Sequence, residues 1–163
     1  MNPYAIAILA FVTLERLFEL WLAQRNTRAM LRRGAREHGA GHYPLIVGLH
    51  VLWLLTLWAL APWQAVELSW LSLFGLLQIA RFWVLSTLGP RWTTRIIVLP
   101  EAPLVESGLY RILNHPNYWV VIGEIAVLPL VFGLPWVAAI FTILNAFVLN
   151  IRIREENRAL GRP

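Results

Sequence analysis

Cysteine, lysine and aspartate are all missing from this chain of 163 residues. Without cysteine there is no disulfide, no thiolate metal ligand and no cysteine nucleophile, and the redox compartment is left unmarked. Without lysine the basic side chains are all arginine, and the formal net charge is +5. Charge of either sign is scarce, 14% of residues against 58% apolar, which is far from the balance of a soluble domain. Positive charge in so apolar a chain points to arginine gathered at one membrane face beside anionic lipid, and not to nucleic acid. The first apolar stretch has no basic leader and no small-residue cleavage pattern, and it carries Glu15, Arg16 and Glu19. It is expected to stay in the protein and not to be removed as a signal peptide.

What the chain does have is hydrophobic length. Crossing a bilayer takes roughly 20 mostly apolar residues, and candidates lie at 3–23, 44–61, 68–88, 116–132 and 136–153. The last two are near the lower limit. Pro44, Pro62, Gly89-Pro90 and Gly133-Leu134-Pro135 punctuate them. The expected fold is all-α, a single integral membrane domain of about five helices whose last two form a hairpin. Between the third and fourth, the β-branched run Thr93–Val98 predicts a short extended piece on the membrane surface. Pro116 suits the first turn of the fourth helix, with Asn114 or His115 as its cap.

The arginines orient the bundle. Arg25, Arg28, Arg32, Arg33 and Arg36 fall in the 24–43 loop, Arg91, Arg95 and Arg111 in the 89–115 loop, and Arg154, Arg158 and Arg162 in the tail. The N-terminus, the Trp63–Ser69 connection and the Gly133 turn hold none. One topology satisfies all of these, with the N-terminus outside and both arginine loops and the C-terminus in the cytoplasm. Trp63, Trp70 and Trp136 then sit at the outer interface, where indoles are favoured.

His115 and Tyr118 precede the Gly133 turn by about as many residues as Arg152 and Glu156 follow it, so at about 1.5 Å rise per residue the two groups reach a similar depth. The stretch Gly108–Tyr118 and the stretch Asn150–Asn157 therefore predict one cluster at the cytoplasmic end of the hairpin. It would contain imidazole, phenol, guanidinium, amide and carboxylate groups. Carboxylates can hold an ammonium or ribose hydroxyls, arginine a carboxylate, and aromatic faces a sulfonium. A capped helix start and a tail of i,i+4 ion pairs would use the same residue types.

His115-Pro116-Asn117-Tyr118, a hairpin, and then Arg152-Ile153-Arg154-Glu155-Glu156 resembles the isoprenylcysteine carboxyl methyltransferase family of integral membrane enzymes. The resemblance covers most of the chain and is densest from Gly108 to Leu160. It implies S-adenosylmethionine as cofactor and S-adenosylhomocysteine as product. The implied cofactor residues are His115, Tyr118, Arg152 and Glu156, with Tyr110, Arg111, Asn150 and Glu155 around them. Asn114 stands where the family has arginine, and Val120 where it has glycine. Asn157 stands where the tail pattern has its second acid, which points away from a prenylcysteine substrate. Leu88–Arg95 and Gly41–Pro44 look like a bacterial branch of O-methyltransferases acting on long-chain alkylpyrones and alkylresorcinols. The implied partners are such a lipophilic molecule, arriving from the bilayer of a bacterial inner membrane, and membrane lipid. The sequence leaves the oligomeric state open.

Charged residues also fall inside the apolar stretches. An unpaired charge there costs roughly 2.5–3.5 kcal/mol, so each should face protein or a wet cavity. Arg81, Glu124 and Trp92 are candidates for the substrate pocket. Should the acceptor be a hydroxyl, His115 and Glu124 are the candidate bases. The competing expectation for Arg81 is an ion pair with Glu124 or Glu19 that only fixes helix packing. His38, His42 and His50 match no metal spacing, and no metal is expected. Carboxyl methylation of prenylcysteine, methylation of a phospholipid amine, and a small transporter or scaffold without catalysis remain as rivals. A sterol-reductase-like activity would need a longer chain.

Overall fold

A computed structural model describes residues 1–100, 102, 103, 105, 107–113 and 115–161. Among them are five α-helices, α1 (Pro3–Arg32), α2 (Tyr43–Leu60), α3 (Leu68–Leu88), α4 (Pro116–Val131) and α5 (Pro135–Leu160). A two-stranded ribbon, β1 (Arg36–His38) and β2 (Ile96–Val98), completes the regular structure. The expected all-α bundle is what forms.

Its polarity is inverted relative to a water-soluble protein. Phe82, Phe147, Ile79 and Leu76 are exposed on the outside, while Glu19, Arg81 and Glu124 are buried within. Only an apolar surrounding medium makes that distribution favourable, so this is a membrane protein. The segments Ala40–Trp63, Leu68–Arg91 and Pro135–Leu160 are long and apolar enough to cross a bilayer. The remaining two depart from that standard for different reasons. α1 is interrupted by Glu15, Arg16 and Glu19, and α4, with 16 residues, spans only about 24 Å at 1.5 Å per residue.

The helix boundaries follow local chemistry. Asn2 caps α1, its side-chain oxygen accepting from the Tyr4 amide at 3.0 Å, and Pro3 fills the first turn. α1 continues to Arg32, past the end of its apolar stretch at Ala23. No glycine or proline intervenes before Gly34, so nothing stops the helix where hydropathy falls. Its buried residues Ala5, Leu9, Val12, Glu19, Ala23, Asn26 and Met30 fall on one seam, at spacings of three or four with a single step of seven from Val12 to Glu19. Gly133 takes the left-handed conformation (φ +64°) that lets α4 reverse into α5. His115 occupies the cap position of α4 without a side-chain capping bond. The alternative cap, Asn114, lies outside the described residues.

α4 packs against both α3 and α5, and α2 lies along α5. Leu9, Trp53, Leu57, Phe74, Ile125, Leu128, Phe132 and Phe141 form the common core. At the arginine-bearing end the two long connections meet as an antiparallel ribbon that pairs Arg36 with Val98, Glu37 with Ile97 and His38 with Ile96. Arg95 donates to Glu37 at 2.7 Å and lies 4.4 Å over the Tyr43 ring, whose hydroxyl is 3.1 Å from Thr94. β2 falls within the expected extended run, whereas Arg-Glu-His carries no strand signal.

Gly39 turns the chain from β1 toward α2 with φ +60°, and a side chain there would meet the His42 ring at 2.7 Å. Gly39→Ala should therefore cost about 1–2 kcal/mol from the left-handed backbone alone. Thermal unfolding of the purified variant in detergent, set beside Gly41→Ala, which has open space around it, would measure that cost.

Candidate functional site

The first turn of α4 and the last turns of α5 converge as their equal distances from the Gly133 turn require. The Tyr118 hydroxyl donates to a Glu156 carboxylate oxygen and accepts from Arg152 Nε at 2.8 Å. His115 Nδ1 lies 3.5 Å from the same Glu156 oxygen. The His115 and Tyr118 rings stack with centroids 5.2 Å apart, and the Arg152 guanidinium lies 5.5 Å from the Tyr118 ring centre. One phenol thus bridges a cation and an anion, and it fixes both relative to the imidazole.

This cluster forms the polar wall of a pocket enclosing about 680 Å³ of empty space, part of it open to solvent. Tyr110 enters the wall from a short 3-10 turn over Gly108–Arg111. Burial, reinforced by the Glu156 carboxylate, pushes its phenol above the usual range, so it acts as a neutral hydrogen-bond donor. The lining also has apolar members, Leu88, Trp92 and the β2 strand residues Ile96, Ile97 and Val98, and Arg91 stands among them. A second recess, bounded by Met30, Leu99 and Val105, shares Leu88, Tyr110 and Glu156 with the first.

Of the expected cofactor residues, Tyr110, His115, Tyr118, Arg152 and Glu156 line this pocket, and Trp92 lines it from the substrate set. Arg111 and Asn150 are exposed and not in its wall, and Glu155 pairs with Arg158 at 2.7 Å. The reason is helical phase. Arg152 and Glu156, four apart, share a face of α5, and Asn150 and Glu155 point off it. Asn117, Thr93 and Arg95 also line the pocket. For Asn117 the sequence carried a usable signal, since it lies between His115 and Tyr118 in the first helical turn.

Arg81 and Glu124 lie elsewhere, in the middle of the bundle. Arg81 donates through Nε and Nη2 to both oxygens of Glu19 and through Nη1 to Glu124 at 2.7 Å. Arg16 reaches Glu19 and Glu124 at 3.0 Å each, and Gln78 donates to the other Glu124 oxygen at 3.0 Å. Two guanidiniums and two carboxylates close an alternating ring between α1, α3 and α4, with Glu15 attached at 3.4 Å from Arg16. The Glu124 side chain is 3% exposed and both its oxygens are engaged. Neither Glu124 nor Arg81 lines the pocket. The ring realises both ion pairs expected for Arg81, with Glu19 and with Glu124.

Two buried polar atoms in the pocket wall, Trp92 Nε1 and Asn117 Oδ1, have no hydrogen-bond partner among the described residues. One is a donor and the other an acceptor, and polar groups of donor and acceptor molecules together would satisfy them. With Glu156 for hydroxyl or ammonium groups, Arg152 for a carboxylate and the Tyr118 face for a cation, the set fits S-adenosylmethionine. Among the described residues no three His, Cys, Asp or Glu side chains converge as metal ligands.

Comparison with known proteins places the chain in a family. An uncharacterized protein of Bacillus subtilis, YpbQ, is 37% identical over 158 residues, covering 94% of each chain. An uncharacterized protein of Haemophilus influenzae is 28% identical over 152 residues, covering 90% of this chain and 88% of its own. No solved structure matches at a significant level. Residues 70–162, which contain α4, α5 and most of the pocket wall, match the isoprenylcysteine carboxyl methyltransferase family. On that match the chain belongs to the isoprenylcysteine carboxyl methyltransferase family and is a membrane methyltransferase.

Proposed function

We propose that the protein transfers a methyl group from S-adenosylmethionine to an oxygen of a lipophilic acceptor, a long-chain alkylpyrone or alkylresorcinol, at the cytoplasmic face of a bacterial inner membrane. The observation that carries this reading is one pocket at the end of the α4–α5 hairpin whose lining joins a charged, hydrogen-bonded cluster with the apolar side chains Leu88, Ile96, Ile97 and Val98. The arginine distribution supports the orientation, with the N-terminus outside and the pocket on the cytoplasmic side. A water-soluble donor then reaches the polar cluster from solution, while the acceptor reaches the apolar side chains from the bilayer.

When bound, S-adenosylmethionine supplies an electrophilic methyl on a cationic sulfur, and it departs as the neutral thioether S-adenosylhomocysteine. The chain's own residues do the rest by placement. Glu156 and Arg152, locked together through Tyr118, would present opposite charges side by side to the ammonium and carboxylate of the donor's methionine end. The Tyr118 face offers a cation–π surface. The apolar side chains Leu88, Ile96, Ile97 and Val98 would seat the acceptor's hydrocarbon and hold its oxygen near the methyl. A carboxylate or ionised enol needs no base. For a neutral hydroxyl, His115 is the group in the pocket able to take the proton.

Carboxyl methylation of prenylcysteine is the second reading, favoured by the family match itself. Asn157, in place of the second acid of the family's tail pattern, speaks against it. Purified protein given labelled S-adenosylmethionine with an alkylpyrone, an alkylresorcinol, a prenylcysteine or phosphatidylethanolamine should label a pyrone or resorcinol first. Label on prenylcysteine alone would move the assignment to the second reading. A transporter or scaffold would bind no S-adenosylhomocysteine in calorimetry.

A further inference from the structure

We propose that Trp92 recognises an oxygen of the methyl acceptor, and that Asn26 of α1 is the residue positioning it; this rests on the methyltransferase reading above. Trp92 is 3% exposed and lines the pocket. Its indole nitrogen is buried without a partner among the described residues. Buried donors are almost always satisfied in native proteins, and the orphaned Trp92 N–H, unlike that of Trp53 in the core, belongs to a residue that lines the pocket, which points to a ligand contact.

The backbone carrying this indole is clamped from a distant part of the chain. Asn26 Nδ2 donates to the carbonyl of Trp92 at 2.9 Å and to that of Gly89 at 3.2 Å. The Trp92 amide itself donates to Gly89 at 3.0 Å. Asn26 is 8% exposed and lies on the buried seam of α1 between Ala23 and Met30, where an amide has no packing advantage. Its two hydrogen bonds across the bundle account for it. α1 lies outside residues 70–162, so this clamp reaches the pocket from beyond the family-matching region.

The chemistry of the indole selects the acceptor class. An indole N–H donates and never accepts, so it pairs with an oxygen lone pair and offers nothing to an ammonium. The acceptor it suits is an oxygen acid with two conjugated oxygens, such as a carboxylate or a hydroxypyrone. One oxygen takes the methyl while the other accepts from Trp92. An amine lipid lacks that second acceptor at the reacting end.

Trp92→Phe keeps the ring and removes only the N–H. In nanodiscs, the KM of this variant for a 4-hydroxy-6-alkyl-2-pyrone should rise about tenfold, with S-adenosylhomocysteine affinity by calorimetry unchanged. Asn26→Ala should shift the same KM in the same direction. Asn26→Asp, similar in shape but without the donor, should follow the alanine variant. An unchanged pyrone KM in Trp92→Phe overturns the proposal, and an equal loss of S-adenosylhomocysteine affinity reassigns Trp92 to the donor. A wild-type protein that methylates phosphatidylethanolamine and no oxygen acid also overturns it. Absence of any S-adenosylhomocysteine binding overturns the methyltransferase reading beneath it.

Discussion

Replacing Arg81 with alanine should destabilise the bundle by about 3–5 kcal/mol, the cost of leaving buried charges without their partner. Arg81 holds both oxygens of Glu19 and one of Glu124, and its side chain is 7% exposed. Its removal leaves the two carboxylates with Arg16 as their shared cation and the Gln78 amide on Glu124, in a medium that offers no water. The same physics makes the double variant Arg81→Leu with Glu124→Leu milder than the single change. One cation and one anion leave together, and Glu19 keeps Arg16 at 3.0 Å. Thermal unfolding of the purified variants in one detergent would order them. If Arg81→Ala melts with the wild type, the ring contributes nothing to holding α1 against α3 and α4.

Glu156→Ala should weaken S-adenosylhomocysteine binding by at least tenfold, about 1.4 kcal/mol, with a small change in melting temperature. Glu156 accepts the Tyr118 hydroxyl and faces His115, so its loss frees both side chains at once. Tyr118→Phe should act in the same direction, because the hydroxyl is what joins Arg152 to Glu156. Arg111→Ala and Asn150→Ala are the matched controls. Both residues lie in the same two segments, are exposed and do not line the pocket, so calorimetry should find their affinities near wild type. Equal losses in all four variants would detach binding from this pocket.

The sequence made much of this legible, and for identifiable reasons. α3 runs from Leu68 to Leu88 as expected, because Gly89-Pro90 ends it chemically. The meeting of His115 and Tyr118 with Arg152 and Glu156 followed from counting residues on either side of Gly133. Helical rise converts sequence distance into depth without further information. By contrast, hydropathy marked where α1 leaves the apolar medium and not where the helix stops, so its run to Arg32 needed the structure. β1 was invisible because three residues of Arg-Glu-His become a strand only when β2 lies beside them.

By itself, then, the sequence determined the class of medium, the number of helices and the end of the hairpin where polar chemistry gathers. These depend on composition and on spacing along one chain. Tertiary structure alone decided how the helices are rotated and which partners share a cavity. That rotation puts Glu156 in the pocket and Glu155 on Arg158, and it draws Arg81 and Glu124 into a closed ring away from the site. It also brings Asn26 of α1 to the backbone of Trp92. Partner choice between helices rests on packing across the bundle, and no periodicity within a single segment encodes it.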